Sequence, residues 1–300
     1  MTQGALLLDK PVGISSNRAL QEAKKLFGMS KAGHAGTLDP LASGLLVLLF
    51  GEATKLAGSL LEEDKEYVAT LKLGERTSTG DAEGEVVERK PSTMEIADLG
   101  PVLARFVGEI EQVPPMHSAL KRGGVPLYLL ARKGESVERA PRRVRIFSIE
   151  NLALPDATQL RLRIRCSKGT YIRTLAEDIG AALGTCAHLA ALRRTASGQF
   201  RVEDATTLEG LAAMPQGSRL QRLLGLAELL RGLPRALLDG EQEARFRNGQ
   251  TLKVFPGEGL CAVYAADGAV LGLGQAQGGA LRPLRLLAPS QAADKHRKTL

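Results

Sequence analysis

The sequence predicts an α+β fold in which a mixed, largely antiparallel central sheet surrounds one cleft and a small β module follows toward the C-terminus. Three observations predict it. Leu160, Leu162, Ile164 and Cys166 alternate strictly with Arg161, Arg163 and Arg165, the period of a strand with one buried face. Strand-like runs elsewhere are separated by single segments of helical periodicity. Beyond residue 233 the chain changes to short apolar runs punctuated by Asn248-Gly249 and Asp267-Gly268, both hairpin turn signals.

From the N-terminus, Gly4 to Leu8 reads as a short buried strand, and Lys10-Pro11-Val12-Gly13 turns the chain toward Ser15, Ser16 and Asn17, all suited to capping a helix. Ala19, Leu20, Ala23, Leu26 and Phe27 then recur at helical spacing, with Gly28 placed to end the helix. Lys31 to Ser43 has no periodicity and reads as a loop carrying a lone histidine and aspartate. Leu45 to Phe50 is a buried strand, a helix is expected around Thr54 to Leu61, and Glu66 to Leu73 alternates with Tyr67, Ala69, Leu71 and Leu73 on one face.

Val113 to Arg145 gathers four prolines, Gly123-Gly124 and a series of lysines and arginines with few acids. It reads as a basic, partly mobile excursion suited to phosphates, although a solvated surface segment has the same composition. The guanidinium row of Arg161, Arg163 and Arg165 would also suit phosphates. Ser167 to Thr170 forms a turn, and Ile172, Leu175, Ile179 and Leu183 mark a helix that Gly184 terminates. Residues 211 to 240 read as a short helical connector, 233 to 290 as a small all-β module, and 291 to 300 as a disordered polar tail.

Composition narrows the function. With 300 residues, 44% hydrophobic and 24% charged, the chain can bury a sizeable core. Its formal net charge of +7 and pI near 9.4 favour a polyanionic partner, nucleic acid before an acidic membrane. Cys166, Cys186 and Cys261 are odd in number and far apart, so a reducing cytoplasm fits and a cysteine zinc site does not. No apolar run approaches the roughly 20 residues of a membrane helix. Phosphate-loop, HExxH, GxSxG and GxGxxG patterns are missing, which argues against a metal or nucleotide cofactor.

What remains is the Gly33 to Gly44 loop, whose glycines permit close approach of a ligand. Asp39 is held extended by Pro40; in isolation, an Asp before Pro is an ordinary turn former. Lys168 and Arg173 sit at the start of the Tyr171 helix, where a cation is mildly unfavourable unless an anion is bound. They could hold a phosphate or orient a carboxylate, and a solvated surface Arg is the bland alternative.

The strings LDKPVGISSN, GHAGTLDPLASGLLVLLFGEATK, KEYVATLKLGERTSTGDAEG, VPPMHSALKRGGVPLYLLARKG and CSKGTYIRTLAEDIG resemble, in order, the motifs of the TruB family of tRNA pseudouridine synthases. The resemblance spans most of residues 4 to 200, while the C-terminal portion resembles the family's PUA-like module loosely. It implies a catalytic domain over 1–232 with a thumb-like RNA-gripping insertion at 115–145, and an RNA-binding module over 233–290. It implies Asp39 as catalytic carboxylate, Arg173 as its partner and Tyr67 as the aromatic stacked on the target base. Tyr171, Leu192 and Lys168 are implied in substrate binding, and His34 in filling the place of the flipped nucleotide. Ala35 and Ser43 depart from a frequent threonine.

The implied activity is conversion of uridine 55 in the T loop of tRNA to pseudouridine by a cytoplasmic monomer without metal or nucleotide cofactor. The chemistry agrees, because the base must leave its stack for its glycosidic bond to be reached, and stacking on an aromatic compensates by roughly 1 to 3 kcal/mol. A guanidinium beside Asp39 would favour the ionised form. Two other readings are a guide-RNA-dependent catalytic subunit and a non-catalytic tRNA-binding or folding protein; a lone T-arm hairpin as substrate separates them.

Overall fold

The computed structural model describes residues 3–288 apart from 92–95, 119, 132, 157 and 254. A nine-stranded sheet organises the first two hundred residues. Its main path runs Gly4–Lys10, Ala42–Phe50, Ala187–Ser197, Lys65–Leu73, Gln159–Cys166, Arg142–Asp156 and Gly108–Gln112. Every pairing along it is antiparallel except one: Ala42–Phe50 lies parallel to Ala187–Ser197, with Leu192, Arg193 and Arg194 opposite Ala42, Ser43 and Gly44. The chain therefore reverses its sense where the Asp39 loop enters the sheet.

The helix Ser16–Phe27 forms as its pattern predicts. Ser15 caps it by accepting a hydrogen bond from the Arg18 N–H at 3.2 Å, and Gly28 ends it in the left-handed conformation at φ 62°. Its apolar stripe packs with Leu6, Leu8, Leu46, Leu48 and Phe50 on one face of the sheet. The helix Ile172–Ala182 lies against Ala69, Leu71, Leu160, Leu162 and Ile164. Tyr67 and Leu192 pack against both clusters. They mark the seam where the cavity described below opens.

Several expectations need correction. Lys31 to Ser43 is not all loop: Ala32–Ala35 pairs with Ala42–Phe50, and the small residues that make this strand carry no alternation to reveal it. The expected helix at 54–61 is a 3-10 turn, Gly51–Leu56, followed by Ala57–Leu61. The 113–145 excursion is partly regular, with the helix Leu127–Ala131, and Arg142 to Arg145 belong to a long sheet strand.

The C-terminal unit is a five-stranded sheet, Arg235–Leu238, Gly259–Ala265, Val270–Gln277, Ala280–Leu286 and Leu252–Lys253, but it is not all β. Asp239 and Gln242 form a capping box that starts the helix Gly240–Arg247. Asn248-Gly249 ends that helix instead of turning a hairpin, with the Gly249 N–H donating to the Phe246 carbonyl at 2.9 Å. Asp267-Gly268 does turn the hairpin between Gly259–Ala265 and Val270–Gln277. The unit is docked through Ala262, Tyr264, Leu273 and Leu287, which share one apolar cluster with Leu45, Val47, Leu49 and Leu56. The 291–300 tail lies outside the described residues.

Candidate active site

Asp39 is positioned by bonds that run both ways along its loop. The Ser16 hydroxyl donates to the Leu38 carbonyl at 2.9 Å and accepts from the Leu38 N–H at 2.8 Å. The Gly13 N–H donates to the Pro40 carbonyl at 2.8 Å. A loop so tied on each side of Asp39 gives its carboxylate a fixed origin.

Arg173, in the first turn of the Ile172–Ala182 helix, meets that carboxylate. Its Nη2 lies 3.1 Å from Asp39 Oδ2, and its side chain is 7% exposed against 42% for Asp39. The rest of the fork is also occupied. Nη2 donates to the His117 carbonyl at 2.6 Å and Nη1 to the Thr79 carbonyl at 3.2 Å. A second carboxylate, Asp81, stands 3.5 Å from Nη1 and is 4% exposed; it also accepts from the Thr79 hydroxyl at 2.6 Å and the Glu83 N–H at 3.1 Å. The anion expected at this helix start is thus a pair of aspartates.

Burial pushes the Asp39 carboxyl above its ordinary range. Arg173 pulls it down in part, Asp81 pushes it further up, and Lys10 and His117 pull it down. Lys10 is itself buried, donates to the Pro11 and Ile14 carbonyls at 2.8 and 2.7 Å, and is lowered by desolvation to about 8. The expectation that a guanidinium favours the charged form holds for that contact alone. Desolvation outweighs it.

Asp39 opens onto a cavity of about 420 Å³ that Tyr67, Tyr171, Arg173, Leu192 and Arg194 also line, a volume within the range of roughly 300 to 1,000 Å³ typical of ligand sites. Two strands, one helix and one loop therefore bring together residues up to 155 positions apart, Asp39 to Arg194. Tyr67 comes from the Lys65–Leu73 strand and Leu192 from Ala187–Ser197, cross-strand neighbours in one ladder. Tyr171 precedes its helix, with its N–H donating to Gln112 Oε1 at 3.0 Å.

His34 sits apart from that cavity, on the Ala32–Ala35 strand, and faces an adjoining hollow of about 570 Å³ that Asp39, Asp81, Glu83 and His117 also border. Burial and the charge of Arg194 lower its pKa, and its Nδ1 has no hydrogen-bond partner among the described residues. Lys168 does not line the first cavity itself, although its neighbours Ser167, Gly169 and Thr170 do. It is half exposed and paired with the Glu62 carboxylate.

Sequence reasoning missed Asp81 and Arg194. Asp81 lies within the string KEYVATLKLGERTSTGDAEG and Arg194 two residues after Leu192, yet nothing around either names its partner. Arg173 and Arg194 are both buried arginines beside the same aspartate loop. Only register shows that.

The region 24–172 matches the family model described as TruB family pseudouridylate synthase (N terminal domain). Residues 173–235 match the tRNA pseudouridylate synthase B C-terminal domain, and 234–287 match Pseudouridine synthase II TruB, C-terminal. The chain is similar to tRNA pseudouridine synthase B of Burkholderia pseudomallei (strain 668), 53% identical over 294 residues covering 95% of this chain and 96% of the relative. It is also similar to the protein of the same name from Dechloromonas aromatica (strain RCB), 51% identical over 286 residues with 95% of each covered. Among solved structures it resembles a chain of a Cbf5-Nop10-Gar1 complex, at TM-score 0.76 and 27% identity, covering 96% of this chain and 86% of that one. With half of its residues shared along nearly its whole length and a sheet that gathers the motif residues around one cavity, the chain belongs to the TruB family of pseudouridine synthases.

Proposed function

We propose that this protein converts uridine 55 in the T loop of tRNA to pseudouridine, with Asp39 as the catalytic carboxylate. The observation that carries the reading is the Asp39–Arg173 contact at 3.1 Å on the wall of a cavity that Tyr67 and Leu192 also line. Asp39 Oδ2 is held by the guanidinium, while Oδ1 makes no hydrogen bond among the described residues. A free carboxylate oxygen can attack the sugar or take a proton from it. Tyr67 offers a face for the flipped base, and Tyr171 and Leu192 would close around it.

His34, across Asp39 from the cavity, is set to fill the gap that a flipped nucleotide leaves. The basic segment near 115–145 would grip the T arm, and the module from 233 would extend the RNA contact. Lys168, half exposed at the rim beside the cavity-lining Ser167 and Gly169, would hold phosphate. Relatives named tRNA pseudouridine synthase B share 53% of residues, whereas the Cbf5 chain shares 27%; this contrast supports a stand-alone enzyme over a guide-RNA-dependent subunit.

The test is incubation of the purified protein with an unmodified tRNA transcript and with an isolated T-arm hairpin, followed by mapping of pseudouridine. Conversion at position 55 in both is expected. Modification only when a guide RNA is added would favour the other reading, and binding without turnover would leave a folding or carrier protein.

A further inference from the structure

A buried cation at the wall of the cavity has no counter-ion among the described residues. Arg194 is 2% exposed and lies opposite Tyr67 in one ladder and opposite Gly44 in the other. Its Nε donates to the Leu45 carbonyl at 2.7 Å and its Nη2 to the Gly36 carbonyl at 3.1 Å, and it shares the cavity wall with Tyr67. Arg173 has two aspartates; Arg194, among the described residues, forms no ion pair. A cation surrounded only by neutral dipoles carries an uncompensated desolvation cost. Some negative charge would have to arrive from outside to offset it.

The isomerisation itself generates one. For uracil to move from N1 to C5 attachment, the C1′–N1 bond breaks with both electrons remaining on the base, which becomes an anion delocalised over N1 and the carbonyl oxygens. Asp39 compensates at the sugar, by bonding C1′ or by taking the C2′ proton, and either course leaves the same base anion. C5 then bonds C1′ as the Asp39–C1′ bond breaks or as Asp39 returns its proton to C2′; the C5 proton departs and N1 gains a proton. No oxidant, reductant or second substrate is needed.

We propose that Arg194 is a positioning residue that, through the Tyr67 hydroxyl, stabilises the negative charge on uracil while the base is detached. The inference rests on the function proposed above and deepens it. Arg194 lines the same cavity as Asp39 and Tyr67, and its charge adds to the larger effect of burial in lowering both His34 and Lys65. A fixed donor aimed at charge that appears only during reaction lowers the barrier without tightening substrate binding. The competing role is purely structural, a pin between the Gly36 turn and the Ala42–Phe50 strand.

The experiment compares Arg194→Met, Arg194→Lys, Tyr67→Phe and the Arg194→Met/Tyr67→Phe double variant, each full length, by single-turnover pseudouridine formation on tRNA with enzyme in excess, RNA Kd and Tm. Arg194→Met is expected to slow the chemical step by about 10²-fold, the usual loss of one such donor, with Kd unchanged and partial rescue in Arg194→Lys. In the Tyr67→Phe background the same change should add little, because the hydroxyl that transmits its effect is gone. An undiminished loss in that background overturns the proposal, as does a loss that appears in Kd instead of the rate. If Arg194→Met does not fold, Arg194→Lys measured in both backgrounds decides the matter by the same comparison. A parent protein that makes no pseudouridine defeats the proposed function; an active parent with additive variants defeats only the role of Arg194.

Discussion

At the scale of single residues, the site turns on how two carboxylates share one guanidinium. Asp39→Asn keeps size and hydrogen bonds but removes the charge that attack or proton abstraction requires, so single-turnover rate should fall by at least about 10²-fold while RNA Kd stays or tightens slightly. A rate near the parent's would reduce Asp39 to a turn former before Pro40. Arg173→Lys keeps the charge but loses the fork that spans Asp39 and Asp81, and it is expected to impair the rate far more than Kd; a reduced salt slope of binding would instead assign Arg173 to the RNA backbone. The pH profile follows from the same geometry. The Asp39 carboxyl lies above its ordinary range because of burial and Asp81, so activity, which needs the ionised form, should be full above that raised pKa and lost as pH falls through it. Asp81→Asn removes one cause of the elevation, and the acid limb of kcat/KM should move to lower pH; a limb that stays put would mean Asp39 does not set it. Asp39 and Arg173 were legible because their strings resemble a family's motifs. Asp81 and Arg194 were not, because an arginine or aspartate in a sequence does not declare which buried partner a sheet will bring to it.

At the scale of elements, the candidate site is built around one parallel pairing in an otherwise antiparallel path. Gly44 takes φ 100° there, and a Cβ at that position would stand 2.3 Å from the Arg194 carbonyl oxygen and 2.8 Å from its nitrogen. Both are backbone atoms that cannot swing aside. Gly44→Ala is therefore expected to destabilise the fold by about 1 to 3 kcal/mol or more, read as a lowered Tm, and to displace Arg194 and slow turnover even in the folded fraction. Gly28→Ala offers the contrast. It has equal handedness but open space around the site, so it should lower Tm without changing the rate per folded molecule. Equal rate losses in the two variants would disconnect the pairing from catalysis. The glycines ending helices were read correctly because a helix stop is a local event. Gly44 was seen as a loop glycine because its constraint comes from a strand about 150 residues away, and Ala32–Ala35 was taken for loop because strands without large alternating side chains leave no periodic trace. Asn248-Gly249 misled for a related reason: the left-handed glycine that suits a hairpin turn equally suits a helix end.

At the scale of the whole molecule, the C-terminal module is bound to the catalytic sheet by a shared core. Residue strings alone place a boundary near 233 and suggest a separable RNA-binding unit whose removal would weaken affinity before chemistry. The packing changes that expectation. Ala262, Tyr264, Leu273 and Leu287 cover Leu45, Val47, Leu49 and Leu56, and Leu45, Val47 and Leu49 belong to the strand that carries Gly44 and receives the Asp39 loop. Polar contacts reinforce the junction: Lys55 Nζ donates to the Leu286 carbonyl at 2.9 Å, and the Ala288 N–H donates to Glu52 Oε2 at 2.7 Å. Ending the chain at 232 would turn this apolar face into exposed surface next to the active strand. We therefore expect truncation to lower Tm and promote aggregation, and any loss of turnover to track loss of folded protein. RNA affinity is better tested with the module in place, by replacing its exposed Arg282 and Arg285 with Gln. Those changes remove positive charge without touching the shared core, so Kd should weaken with a shallower salt dependence while Tm and the single-turnover rate at saturation remain as in the parent. A truncated chain that keeps the parent's Tm would show that the catalytic sheet folds without its cover, and that the module is the detachable unit its sequence suggested.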